Sequence, residues 1–260
     1  MTYVTVILFL SLFIYIIYYI YHDADTVIAN SSNRRQDAYA AYITRGKIIT
    51  SDDVVIAETL TDDAGNETRK YPYGSLFCHS VGYNSYGRSG IELSMNFYML
   101  RSHKNIFSKV KHDLTGEKNE GDTVVSTLNY KLQQAASDAM GGKNGAVIVM
   151  EPSTGKILAM VSNPGFDPND MDNVWAEIHT EEGEKSTVMV NRATQGLYAP
   201  GSTFKMCTAL AALENGIISP GSTWYSCDSP IDIGGWTFRC LEFADGGHGP
   251  LDLNGAMATS

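Results

Sequence analysis

Ser202 and Lys205 stand three residues apart in Tyr198-Ala199-Pro200-Gly201-Ser202-Thr203-Phe204-Lys205, at the head of a run that reads as a helix. A serine hydroxyl is a poor nucleophile until a nearby base takes its proton. Residues at i and i+3 share one helix face, which puts the lysine amine beside the hydroxyl. A helix N-terminus also carries free N–H groups and partial positive charge. The serine's own N–H is then placed to face a developing oxyanion. The apolar run Ala209–Leu213 predicts a central, buried helix. Burial would disfavour the ammonium form of Lys205 and equip it as a base. The chemistry this assembles is nucleophilic acyl transfer through a covalent acyl-enzyme. S-x-x-K alone reads first as a capping serine with a lysine on a solvated face, since serine is a preferred cap.

The elements that must position this pair can be read on either side of it. The helix begins at Ser202 and runs to Gly216, with Pro220 beyond as a stop. Upstream, Gly145–Met150 and Lys156–Ser162 are short apolar runs joined by Pro152-Ser153-Thr154-Gly155. They predict a hairpin whose strands are nearly continuous in apolar residues, with both faces covered. Before it, Asp122–Leu128 alternates like a strand, and Asn129 is placed to cap a helix over Tyr130–Met140. The predicted buried stripe of that helix is Leu132, Ala135, Ala136 and Ala139, and Gly141-Gly142 ends it. Residues 163–185 are polar and predict a loop with one short helix.

The first part of the chain has a different character. Thr2–Tyr21 contains no charged residue, and about 20 such residues span a bilayer core. Tyr15, Tyr18, Tyr19 and Tyr21 crowd one end, as an interfacial belt would. A retained anchor is favoured over a cleaved signal peptide, because His22-Asp23-Ala24-Asp25 is not a small-x-small cleavage site. The positive-inside rule alone does not orient it, since Arg34-Arg35 follow the segment and no Lys or Arg precedes it. Residues 22–44 read as a linker. Thr44–Ile49 and Asp53–Ala57 predict two short strands, followed by a Gly- and Tyr-rich stretch to Glu92 and a polar loop and strand over 100–120. A net charge of −10 argues against a nucleic-acid binder. Of the four cysteines, Cys207 is expected to be a small buried residue within the Ser202 helix. Cys227 and Cys240 flank a Gly-Gly-Trp turn and are read either as a disulfide or as two free thiols. No cysteine–histidine set has zinc-ligand spacing.

Gly145–Pro164, Phe166-Asp167-Pro168-Asn169, Asn191-Arg192-Ala193 and Tyr198–Lys205 together resemble the transpeptidase domain of class B penicillin-binding proteins. That group carries the S-x-x-K, S-x-N and K-T-G set. The resemblance extends to Arg45-Gly46 and the strand pair ending in Ala57, similar to the family's dimerisation or pedestal region. Tyr71–Glu92 and Gly121–Gln133 are similar to its lead-in. It implies an α+β fold: an anchor at 2–21, a linker at 22–44, a pedestal-like region at 45–120 and part of a transpeptidase domain at 121–260. It also implies that Ser202 is the acylated nucleophile and Lys205 its proton acceptor. His248–Leu253 and Ala256–Ser260 look like the approach to S-x-N, with Ser260 as the serine that relays protons to the leaving amine.

The resemblance further implies a membrane-anchored D,D-transpeptidase, its bulk outside the cytoplasm, that cross-links peptidoglycan stem peptides ending in D-Ala-D-Ala. It would be acylated by β-lactams and would need no metal or organic cofactor. Its partners would be a membrane glycan polymerase and the division or elongation machinery. The Asn of S-x-N and the K-T-G strand are not in these 260 residues. The expectation is that the chain as given is an incomplete fragment, without catalytic activity by itself. Alternatives are a non-catalytic cell-wall scaffold or β-lactam sensor, and a β-lactamase or D,D-carboxypeptidase with water as acceptor.

Overall fold

The computed structural model describes residues 2–28, 30, 33, 35–103, 118–183, 186–223, 225–240 and 242–259. Helix α1 (Thr2–His22) is continuous, and none of its residues is buried. Its length and composition suffice to cross a membrane. Beyond it the chain mixes strands and helices, and it divides into two units, residues 1–196 and 197–260.

In the first unit the strand predicted over Thr44–Ile49 is two strands, β1 (Ile43–Thr44) and β2 (Ile48–Ile49). They are followed by β3 (Val55–Thr61) and β4 (Glu67–Lys70). The break falls at Arg45-Gly46-Lys47, where the backbone passes against another segment. A Cβ on Gly46 would lie 2.0 Å from the Asp122 carbonyl oxygen. Strand β1 pairs in parallel with β5 (Asn119–Glu120). Strand β2 pairs antiparallel with β3 and parallel with β6 (Val124–Val125), giving the order β4-β3-β2-β6. Only this pair of valines within Asp122–Leu128 is strand. Residues 104–117, within the predicted loop and strand, lie outside the described residues.

Ile48, Ile56, Ala57, Tyr71, Phe77 and Met99 centre the core of this sheet. Full burial of each large apolar side chain is worth about 1.5–3 kcal/mol. Beside them lies a buried charge cluster. The Glu92 side chain, on α2 (Gly90–Ser94), is fully buried and pairs with Arg45 at 2.6 Å and Arg69 at 2.7 Å. Asn96, on α3 (Asn96–Met99), joins it through Arg45.

Helix α4 (Tyr130–Met140) is capped as predicted, its Asn129 side chain accepting from the Leu132 N–H at 3.0 Å. Gly141 ends it in the left-handed region, at φ 55°. The stripe differs from the prediction: Gln133 and Ala136 are buried, whereas Leu132, Ala135 and Ala139 are exposed. The face is set by hydrogen bonding as well as by apolarity. The Gln133 carboxamide bonds the backbone of β8 (Ile157–Asn163), the strand that pairs antiparallel with β7 (Gly145–Met150). Helix α4 covers one face of this hairpin through Ala136, which packs with Ala159 and Val161. On the other face Ile148 is 46% and Met150 53% exposed, so the expected two-sided cover is absent among the described residues. A 3₁₀ turn at Pro168–Asp170 and helix α5 (Met171–Ile178) follow, matching the loop with one short helix.

The second unit opens with a 3₁₀ turn at Gly201–Thr203 that runs into helix α6 (Phe204–Glu214). Strands β9 (Tyr225–Ser226), β10 (Ile231–Ile233), β11 (Trp236–Phe238) and β12 (Pro250–Leu251) follow, then helix α7 (Leu253–Ala258). The β10–β11 hairpin turns on Gly234-Gly235, both with positive φ as a tight turn requires. Strand β9 pairs antiparallel with β12, bringing Tyr225 opposite Leu251.

Candidate active site

Ser202 lies inside the 3₁₀ turn, and the residue at the α6 N-cap is Thr203, with no side-chain cap bond. Ser202 is therefore not spent as a helix cap. The turn is possible because Gly201 adopts φ 55°, open to glycine at little cost. Lys205 is in the first turn of α6, one turn on from Ser202. The sequence-predicted pair thus occupies the N-terminal end of one helix, where the macrodipole is positive.

The surroundings differ from the prediction in one respect. Helix α6 has no buried residue; Ser202 and Lys205 are exposed, and so is Cys207, expected to be buried. Its small-residue face, Ala209 and Ala212, borders a groove of about 440 Å³ with Lys205, Ile217, Leu253 and Met257. That groove is built from α6, the turn after it and α7, and among the described residues the helix stays unburied. The desolvation that the apolar run led one to expect at Lys205 is accordingly not supplied by these contacts. Ser260, the third predicted residue, lies outside the described residues. What leads to it is well formed: Asp252 caps α7, its Oδ1 accepting from the Gly255 N–H at 2.7 Å.

The sequence reading missed a second cluster in this unit. Cys227, Cys240 and His248 bring their side-chain donor atoms within 4.8 Å of one another. Both cysteines are free thiols. His248 raises the tendency of Cys227 to ionise, its hydrogen bond holding the thiol below the ordinary range. His248 in turn titrates above its usual value, first through that bond to Cys227 and further through Glu242. The spacing of the three residues gave no signal, because the β9–β12 pairing that joins them is not local. The one local hint is Gly246-Gly247 directly before His248-Gly249-Pro250.

Comparison with known proteins accounts for most of the chain. Residues 45–124 match the penicillin binding protein A dimerisation domain, and residues 145–260 match the penicillin binding protein transpeptidase domain. Peptidoglycan D,D-transpeptidase PbpA of Mycolicibacterium smegmatis is 35% identical over 253 residues, covering 91% of this chain and 51% of the relative. Peptidoglycan D,D-transpeptidase MrdA of Escherichia coli is 30% identical over 234 residues, covering 75% of this chain and 36% of the relative. The chain thus spans about half or less of the length of these relatives. Among solved structures, the D,D-transpeptidase domain of a peptidoglycan glycosyltransferase from Eggerthella lenta is 37% identical. It has a TM-score of 0.66, covering 82% of this chain and 46% of that one. The imipenem acyl-enzyme of penicillin-binding protein A from M. tuberculosis is 27% identical, with a TM-score of 0.67 and coverage of 84% and 53%. With a serine–lysine pair on a helix N-terminus inside the transpeptidase match, and the dimerisation match before it, the chain belongs to the class B penicillin-binding proteins.

Proposed function

We propose that Ser202 and Lys205 are the acylating pair of a peptidoglycan D,D-transpeptidase. The observation that carries this reading is the placement of Ser202 in the turn that opens α6, uncommitted to capping, with Lys205 one turn along. It is supported by the acyl-enzyme state of a relative 27% identical to this chain. Lys205 accepts the Ser202 proton as the hydroxyl attacks the carbonyl between two D-alanines. The tetrahedral oxyanion forms near the helix N-terminus, where the Ser202 N–H faces it. Collapse of this intermediate breaks the peptide bond, and D-alanine leaves with a proton relayed through Ser260. The amine of a neighbouring stem peptide then attacks the ester, restoring Ser202 and forming the cross-link. A β-lactam enters the same path and stops at the ester.

Residues 2–21 anchor this activity in the membrane, 22–44 link it to the surface, 45–120 form the pedestal or dimerisation region, and 121–260 contribute to the transpeptidase domain. The bulk of the protein works outside the cytoplasm, where its substrate is. Its partners are a membrane glycan polymerase and the division or elongation proteins.

Labelling of the full-length gene product with a fluorescent penicillin tests the reading. One label on the peptide containing Ser202, absent from Ser202→Ala, is the expected result. Labelling that persists in Ser202→Ala overturns the assignment.

A further inference from the structure

We propose that the cavity beside β1 and β5 binds an N-acetylated sugar ring of a glycan chain. This cavity of about 530 Å³ is lined by Tyr39, Tyr42, Phe97, Ser102 and Asn119 among others, all within the first unit. Small-ligand sites are typically about 300–1,000 Å³. Two of the lining side chains are polar and more than nine-tenths buried: Ser102 is 7% and Asn119 9% exposed. Neither the Ser102 Oγ nor the Asn119 Oδ1 has a hydrogen-bond partner among the described residues. Buried polar groups are nearly always paired, so two unpaired ones in one cavity wall point to a ligand. Their chemistry states what that ligand must offer. The Asn119 Oδ1 only accepts, and the Ser102 hydroxyl can donate. A secondary amide carries one N–H and one C=O, and it satisfies both.

The walls favour a sugar as the body that carries this amide. Tyr42 is 74% and Tyr39 52% exposed, so both rings combine a place in the cavity wall with open surface. The C–H face of a pyranose lies flat on such amphipathic rings, while its substituents reach the polar atoms. An extended peptide also carries amides, but it is commonly held by adding a strand to a sheet edge. Strands β1 and β5 are two residues each and pair with one another. The frame is fixed before any ligand arrives. The Asn119 N–H donates to the Tyr42 carbonyl at 3.0 Å, and the Lys118 ammonium donates to the Ala40 carbonyl at 2.9 Å. The Phe97 ring meets Tyr98 edge to face, centroids 5.6 Å apart. Preformed walls lower the ordering cost of binding.

The site does not rest on the serine–lysine chemistry, whose residues belong to the second unit. Tyr39 and Tyr42 come from the proposed linker, and Phe97, Ser102 and Asn119 from the proposed pedestal region. A sugar held between them braces one against the other and keeps the protein on a glycan whatever the state of Ser202.

The test titrates the full-length gene product, in a sugar-free detergent, with tri-N-acetylchitotriose, followed by tyrosine fluorescence and saturation-transfer NMR. Saturable binding is expected, with the strongest transfer to the acetyl methyl protons. Cellotriose, which has a hydroxyl in place of each acetamide, should bind about tenfold more weakly. Asn119→Leu and Ser102→Ala should each weaken binding about tenfold, the worth of one hydrogen bond. Tyr42→Ala, at an exposed position, should keep the fold and lose affinity several-fold. Ser202→Ala should bind the sugar like the parent, and Tyr42→Ala should keep its penicillin label, so the two readings fail separately. A folded chain with no saturable binding, or one that binds cellotriose equally well, overturns the site. So does affinity unchanged in Tyr42→Ala and Asn119→Leu, or tighter binding of an acetylated dialanine methylamide, which would mark a peptide site instead.

Discussion

Gln133 pairs with Met160 as a neighbouring strand would. Its Nε2 donates to the Met160 carbonyl at 2.8 Å, and its Oε1 accepts from the Met160 N–H at 2.8 Å. The same Nε2 also reaches the Leu76 carbonyl at 2.8 Å, and the residue is fully buried. Gln133→Leu keeps the volume and strips all three bonds. Each buried group left unpaired costs about 1–3 kcal/mol. A loss of several kcal/mol, on the order of 3 or more, is expected in urea denaturation, whereas Gln134→Leu on the open side of α4 should change little.

Glu92 holds two arginines in a site that excludes water. Glu92→Ala leaves both guanidinium groups with no carboxylate, and removing one member of a buried pair costs about 3–5 kcal/mol. The expected result is a lower denaturation midpoint for Glu92→Ala and a smaller loss for Glu92→Gln, which retains acceptors. Equal stability of Glu92→Ala and the parent would show that the pairing is offset by desolvation.

His79 sits beside Phe166, ring centroids 5.4 Å apart, and its Nε2 donates to the Pro164 carbonyl at 3.1 Å. Burial holds it below the ordinary histidine value. The unfolded chain therefore binds this proton at a higher pH than the folded one. The contribution of His79 is present above the ordinary value near 6.5 and is lost as pH falls from there toward the folded value. Denaturation between pH 7.5 and 5 should show stability falling with pH more steeply in the parent than in His79→Gln.

Lys205 is tested by rate. Lys205→Ala should lower penicillin acylation of the full-length protein by about 10²–10⁴-fold. Lys205→Arg should not restore it, because a guanidinium does not give up its proton near neutral pH. Since Lys205 is exposed, thermal melting should be almost unchanged in both variants.

What could be read from the sequence was what local chemistry determines. Asn129 announced its cap, Gly141 its stop, and the Gly145–Met150 and Lys156–Ser162 runs their hairpin. The long apolar helix at the N-terminus was legible from length and apolarity alone. What could not be read depended on partners far along the chain. The predicted stripe took Leu132 and left out Gln133, yet backbone groups of Leu76 and Met160, up to 57 residues away, give Gln133 the buried position. The burial of α6 was inferred from its alanines and leucines, but burial belongs to whatever packs on a helix, not to the helix itself. The cysteine–histidine cluster escaped notice because a strand pairing, not a motif, assembles it.

The Gln133–Met160 pairing also decides in which direction the β7–β8 sheet grows. With Met160 bonded by Gln133 and the Leu158 carbonyl taken by the Asn129 N–H at 2.8 Å, the outer edge of β8 is closed to another strand. Opposed residues in an antiparallel pair alternate between exchanging hydrogen bonds and turning them away. Ile148, opposite Met160, therefore turns its own N–H and C=O outward from β8. Any strand added to this sheet must dock along Gly145–Met150, so a single glutamine on a helix makes a two-sided ribbon into a one-way template.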